Sequence, residues 1–100
     1  MTYAERVAAD RRLIILRFLV EIGGRATESA IERTLIDLGE GLGLDRTIVR
    51  QFLKDLEERD CVVIAYHMDK LMIADITKRG VAVAEGRVRV DGVAKPSLGV

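Results

Sequence analysis

Apolar residues recur at helical spacing along the first 60 positions, and then the period changes. From Tyr3 to Ile22 the pattern predicts one long helix. Its second half, LIILRFLVEI, is apolar around most of its circumference. Only Arg17 and Glu21 mark a polar stripe there, at a spacing that allows an i,i+4 pair. A helix so widely apolar is central in its domain, covered by a second copy of the chain, or both. Gly23 and Gly24 end it. A second helix starts near Thr27 or Ser29, and Ser29 with Glu32 matches a capping box. Ala30, Ile31, Leu35 and Leu38 are its expected buried stripe, Gly39 its left-handed stop, and EGLG a turn. The third helix opens on Asp45 as N-cap, with Leu44 and Val49 spaced as a hydrophobic staple. Ile48, Val49, Phe52, Leu53 and Leu56 form its apolar side. It ends near Arg59, where Asp60 tolerates a left-handed conformation.

Beyond residue 60, CVVIAYHMDKLMIADI is β-branched and aromatic, with a polar break at Asp69 and Lys70. It predicts two strands, Cys61–His67 and Leu71–Ile76, joined by a tight turn that lacks Asn-Gly. Thr77 caps a last short helix, KRGVAVAEG, which Gly80 is expected to weaken. From Arg87 onward, RVRVDGVAKPSLGV has no helical period and reads as an extended tail, disordered at its end. The expected class is mainly α with a small β-hairpin (α+β), with a domain over residues 1–86 and a tail over 87–100.

Composition narrows this reading. One hundred residues make one domain that buries about two-thirds of its unfolded surface. Apolar residues are 49% of the chain, yet aromatics are only 4% and Trp is absent, so the core is aliphatic. Cys61 is the only cysteine and forms no internal bridge, which suits a reducing cytoplasm. The opening MTYAERVAADRR is too charged for a secretory leader, and no apolar run is long enough for a membrane span. A cytoplasmic, non-membrane protein is expected.

Formal net charge is zero, which argues against strong, purely electrostatic nucleic-acid binding. Charge is unevenly spread, however. Residues 23–44 carry two arginines against four carboxylates, a net of −2, whereas residues 76–100 carry five cations against two carboxylates, a net of +3. No H-E-x-x-H, C-x-x-C, G-x-S-x-G or phosphate loop is present, so no catalytic residue is assigned and the chain is not expected to be an enzyme. Gly39, Gly41 and Gly43 follow a helix rather than a strand and read as turn chemistry. A free cysteine at the helix–strand junction behaves as a small hydrophobe. His67 reads as a half-exposed strand residue.

Three helices followed directly by a hairpin resemble the winged helix-turn-helix domain over about residues 8–85. The likeness rests on Ala30, Ile31 and Leu35, on the glycine-rich turn at 39–43, and on IVRQFLKDLEERDCVVI. In that last stretch the pattern Leu53-x-x-Leu56-Glu57-x-x-x-Cys61-Val62 looks like a recognition helix running into a first wing strand. The chain is similar to small ArsR-type regulators and to short proteins of Mu-like prophages. The second likeness includes YAERVAADRRLIILRFL, ITKRG and GRVRVDGVAKP. The resemblance implies a three-helix core with a wing and a short C-terminal helix. It implies a homodimeric transcriptional regulator that places two third helices in successive major grooves, about 34 Å apart. Dimerisation would use the first helix and the last.

On that reading Arg46, Thr47, Arg50 and Gln51 face base edges, because Arg pairs with guanine and Gln with adenine. Lys54 meets a phosphate, and Lys70 is the cation at the hairpin turn, beside His67 and Asp69. The basic residues near the C-terminus offer a further backbone contact. Metal-sensing ArsR-type proteins use clustered Cys and His ligands. Cys61 and His67 lie six residues apart on one strand, roughly 20 Å, so they cannot share a metal, and no metal or cofactor is expected. The prophage likeness and the zero net charge also fit an alternative: a winged-helix protein–protein interaction module, with a phage protein as partner in assembly or DNA packaging.

Overall fold

The computed structural model describes residues 1–97. Four helices and a three-stranded antiparallel sheet form an α+β body, in the order α1 (Tyr3–Glu21), β1 (Arg25–Thr27), α2 (Glu28–Asp37), α3 (Arg46–Glu58), β2 (Val62–His67), β3 (Leu71–Ile76), α4 (Lys78–Ala84). The sheet runs β1-β3-β2. Ile15, Leu16 and Leu19 of α1, Ile31 and Leu35 of α2, and Val49, Leu53 and Leu56 of α3 are buried together. Met72 and Ala74 of β3 close this aliphatic core from the sheet side.

Each helix starts where a hydroxyl or carboxylate satisfies a free amide. Thr2 caps α1, Asp45 accepts from the Ile48 N–H at 2.9 Å in α3, and Thr77 accepts from the Gly80 N–H at 3.0 Å in α4. The capping box expected at Ser29 and Glu32 is not formed. Thr27, extended at the end of β1, puts its hydroxyl 3.1 Å from the Ala30 N–H, and Glu32 is drawn away by Arg46. Leu38, expected in the buried stripe, is 60% exposed because it lies past the last core-facing turn of α2. Arg17 and Glu21 form no ion pair among the described residues.

β1 was not expected. Its three residues are too few to show a period, and its partner strand is nearly fifty positions away, with Ala26 opposite Ala74. The hairpin has the expected bounds apart from Cys61, which sits buried just before β2. Its turn puts Met68 (φ 52°) and Asp69 (φ 58°) in the left-handed region, the geometry that matches strand twist, without an Asn-Gly pair.

The segment after α4 has no regular structure but is not free of the body. Val93 is buried, and the Ala94 N–H donates to the Ala9 carbonyl at 3.1 Å. Arg12 donates to the Gly92 carbonyl at 2.8 Å and Arg59 to the Asp91 carbonyl at 2.6 Å. The end of the expected tail, residues 98–100, lies outside the described residues.

Gly80 explains how α4 sits so close to the junction. The Cys61 carbonyl accepts from the Thr77 N–H at 3.0 Å, and a Cβ added at Gly80 would collide with that same oxygen. The glycine costs helix propensity and permits the approach. Gly80→Ala is therefore expected to destabilise the fold by about 1–3 kcal/mol, against the gain that propensity alone gives. Urea unfolding decides the sign.

Candidate nucleic-acid interface

Helix α3 is strongly amphipathic. Val49, Phe52, Leu53 and Leu56 fill its core side, and Thr47, Gln51, Lys54 and Glu58 follow one another at helical spacing along its exposed ridge. The two flanks between core and ridge are tied to neighbouring elements.

The flank toward the hairpin is organised by Glu28, the first residue of α2, whose side chain is fully buried. Its two carboxylate oxygens receive the Arg50 fork, Nε at 2.5 Å and Nη2 at 2.8 Å. The second oxygen also accepts the Met72 backbone N–H at 2.6 Å. β1 has already ended opposite Ile73, so the Glu28 carboxylate takes the place of the next strand carbonyl. Arg50 Nη2 donates again to the Lys70 carbonyl at 2.8 Å, in the hairpin turn. One guanidinium thus joins α2, α3 and the hairpin. The Arg50 hydrogen bonds hold the Glu28 carboxyl below the usual glutamate range; burial opposes them, and the Met72 N–H reinforces them.

The structure separates the six predicted contact residues by role. Arg50, expected to read a base, has its Nε and Nη2 committed to Glu28 and Lys70. Arg46 is half exposed, with Nε on Glu32 at 2.9 Å and Nη1 3.7 Å from Glu28. Gln51 is exposed and donates to Asp55 at 3.0 Å. Asp55 in turn takes Arg12 at 2.9 Å on the opposite flank. Thr47, Lys54 and Lys70 are exposed, and their side chains form no ion pair or hydrogen bond among the described residues.

Sequence reasoning missed Glu28, because its partners lie 22 and 44 residues away. It also missed Tyr66. This ring is half exposed, opposite Met72 and so on the same sheet face, close to Arg50. Cys61 is fully buried, and burial pushes its thiol up from its ordinary pKa. His67 is exposed on the hairpin. No helix among the described residues is long and apolar enough to cross a membrane.

Two relatives are similar over most of their length. The uncharacterized protein gp26 of Escherichia phage Mu is 37% identical over 87 residues, which cover 87% of this chain and 88% of gp26. An uncharacterized protein of Haemophilus influenzae is 40% identical over 79 residues, covering 79% of this chain and 76% of that protein. No protein-family model matches the chain, and no solved structure matches it at a significant level.

The clamp generates a stability prediction. Glu28→Ala removes the partner of the Arg50 fork and strands the Met72 amide, at a cost of about 3 kcal/mol in urea unfolding at neutral pH. A depressed folded-state pKa gives stability that is fully present above the unfolded value and is lost as pH falls through the folded value. Wild-type stability should therefore fall on acidification below the ordinary glutamate range. The Glu28→Ala protein should lack that component.

Proposed function

We propose that this chain, which belongs to the family of Escherichia phage Mu gp26, is a winged-helix transcriptional regulator that binds double-stranded DNA through α3. The observation that carries the reading is the exposed ridge of α3. Thr47, Gln51 and Lys54 point outward from a helix held on its other sides by the core, by Glu28–Arg50 and by Arg12–Asp55. A rigid helix presenting short polar side chains and a free cation suits a major groove.

The element order supports the same reading. A two-helix unit, α2 and α3, joined by a glycine-containing turn, is followed at once by a hairpin whose turn is tied to α3. Thr47 and Gln51 would face base edges, with Lys54 and Lys70 on phosphates. Arg46 would share its charge between DNA and Glu32. Arg50 keeps α3 and the hairpin at a fixed spacing, so it acts as a positioning residue rather than a reader.

Zero net charge limits non-specific affinity, so binding should be modest and should need low salt to be seen on random duplex. Anisotropy titrations at several salt concentrations test this. Lys54→Ala should weaken binding to every sequence and make the log–log salt dependence shallower by about one ion. Gln51→Ala should instead cost about 1–3 kcal/mol of discrimination at one base position. No duplex binding at low salt would remove the DNA reading and leave the protein-interaction module in its place.

A further inference from the structure

Two glutamates stand one turn apart on α2, Glu28 and Glu32, and two arginines stand one turn apart on α3, Arg46 and Arg50. Where the helices meet, the four charges form a ladder of two rungs. The inner rung is Glu28–Arg50. Its carboxylate is fully buried and accepts both nitrogens of the Arg50 fork together with the Met72 amide. The outer rung is Glu32–Arg46. It consists of one hydrogen bond, from Nε to Oε1 at 2.9 Å, and both side chains reach water, Arg46 at 43% exposure and Glu32 at 20%.

The rungs therefore differ in how readily they exchange a partner. Opening the inner one leaves a charged carboxylate out of reach of water. Opening the outer one loses little, because solvent meets both groups at once and such pairs contribute weakly. Arg46 also adjoins Thr47, where the exposed ridge of α3 begins. Carboxylate and phosphate offer a guanidinium the same chemistry, two anionic oxygens within reach of its fork. A phosphate beside the ridge would compete with Glu32 for Arg46.

We propose that Glu32 restrains the affinity of the α3 surface for DNA by occupying Arg46 in the place of a phosphate. This rests on the DNA-binding reading and adds a control on that same surface. With the outer rung closed, Arg46 adds little to sequence-independent attraction. The surface then meets a duplex chiefly with Lys54 and Lys70, which have no ion pair among the described residues. A duplex close enough to touch Thr47 and Gln51 brings a phosphate to Arg46. The guanidinium changes partner, and Glu32 is left in water.

Anisotropy titrations of a random-sequence duplex at several low salt concentrations test this on the full chain. Glu32→Gln keeps the shape and removes the charge. It should bind roughly fivefold more tightly, with a log–log salt dependence steeper by about one ion. Its circular dichroism should be unchanged. Arg46→Ala should weaken the Glu32→Gln chain at least about threefold more than it weakens the wild type, because only there is the guanidinium already free. Equal losses in the two backgrounds would mean that the charges act on DNA independently. The inference is overturned, with the DNA reading intact, if the wild type binds and Glu32→Gln binds no more tightly, or if those losses are equal. It falls together with that reading if neither protein binds duplex at low salt.

Discussion

A carboxylate with no access to water fixes how the parts of this fold meet. Glu28 would be costly to bury alone, since an unpaired ionised carboxylate loses far more hydration than packing returns. Here both oxygens are used, by the Arg50 fork and by the Met72 amide. Buried ion pairs are seldom better for stability than well-packed apolar groups of the same size. An apolar side chain at position 28 would fill the space, but it would not specify an angle. The fork is planar and the amide is directional, so α2, α3 and β3 can meet in only one arrangement. Arg50 extends that constraint to the hairpin turn through the Lys70 carbonyl.

The same chemistry recurs on the other flank of α3. Arg12 of α1 reaches Asp55 and the Gly92 carbonyl, and its guanidinium lies 5.6 Å from the centre of the Phe52 ring. Its Nε is buried without a partner, a cost of about 1–3 kcal/mol that the other contacts must outweigh. Arg59 donates to the Asp55 and Asp91 carbonyls. Gly92 has φ +88°, and a Cβ there would strike the Arg59 guanidinium. The Asp91–Gly92 turn is thus shaped to receive two arginines. Among the described residues, arginines form all the ion pairs and lysines none. That division follows from geometry. A fork can satisfy two acceptors at once, whereas an ammonium is a strongly hydrated point charge. Much of the basic charge is therefore spent inside the fold, and Lys54 and Lys70 remain outside it.

Most of the fold was legible in the sequence, because its signals are local. Asp45 before an apolar-periodic run, Asp60 after it and Thr77 before KRG mark boundaries that depend on their immediate neighbours alone. The shift from helical to alternating period placed the hairpin to within a residue. β1 was not legible, because a three-residue strand is defined by its partner and not by its own pattern. Of the candidate site, the exposed side of α3 was legible as an amphipathic pattern. The commitment of Arg50 was not, since nothing near position 28 marks that glutamate as buried.

Two of the failed expectations are of one kind. Ser29–Glu32 and Arg17–Glu21 are both local pairings between residues three or four apart, and neither forms. An exposed i,i+4 pair is worth only a few tenths of a kcal/mol, and the capping box is pre-empted because Thr27, two residues earlier, already caps the helix. Glu32 is taken instead by Arg46, across the α2–α3 junction, where the ends are already ordered by the core and little further entropy is lost. Arg17 and Glu21 have no such competitor among the described residues, and as exposed charges they gain too little from closing on each other to offset the side-chain entropy lost. A residue that satisfies a local rule on paper and leaves it unmet in the fold is available for a longer-range contact. For Glu32 that contact lies within the chain.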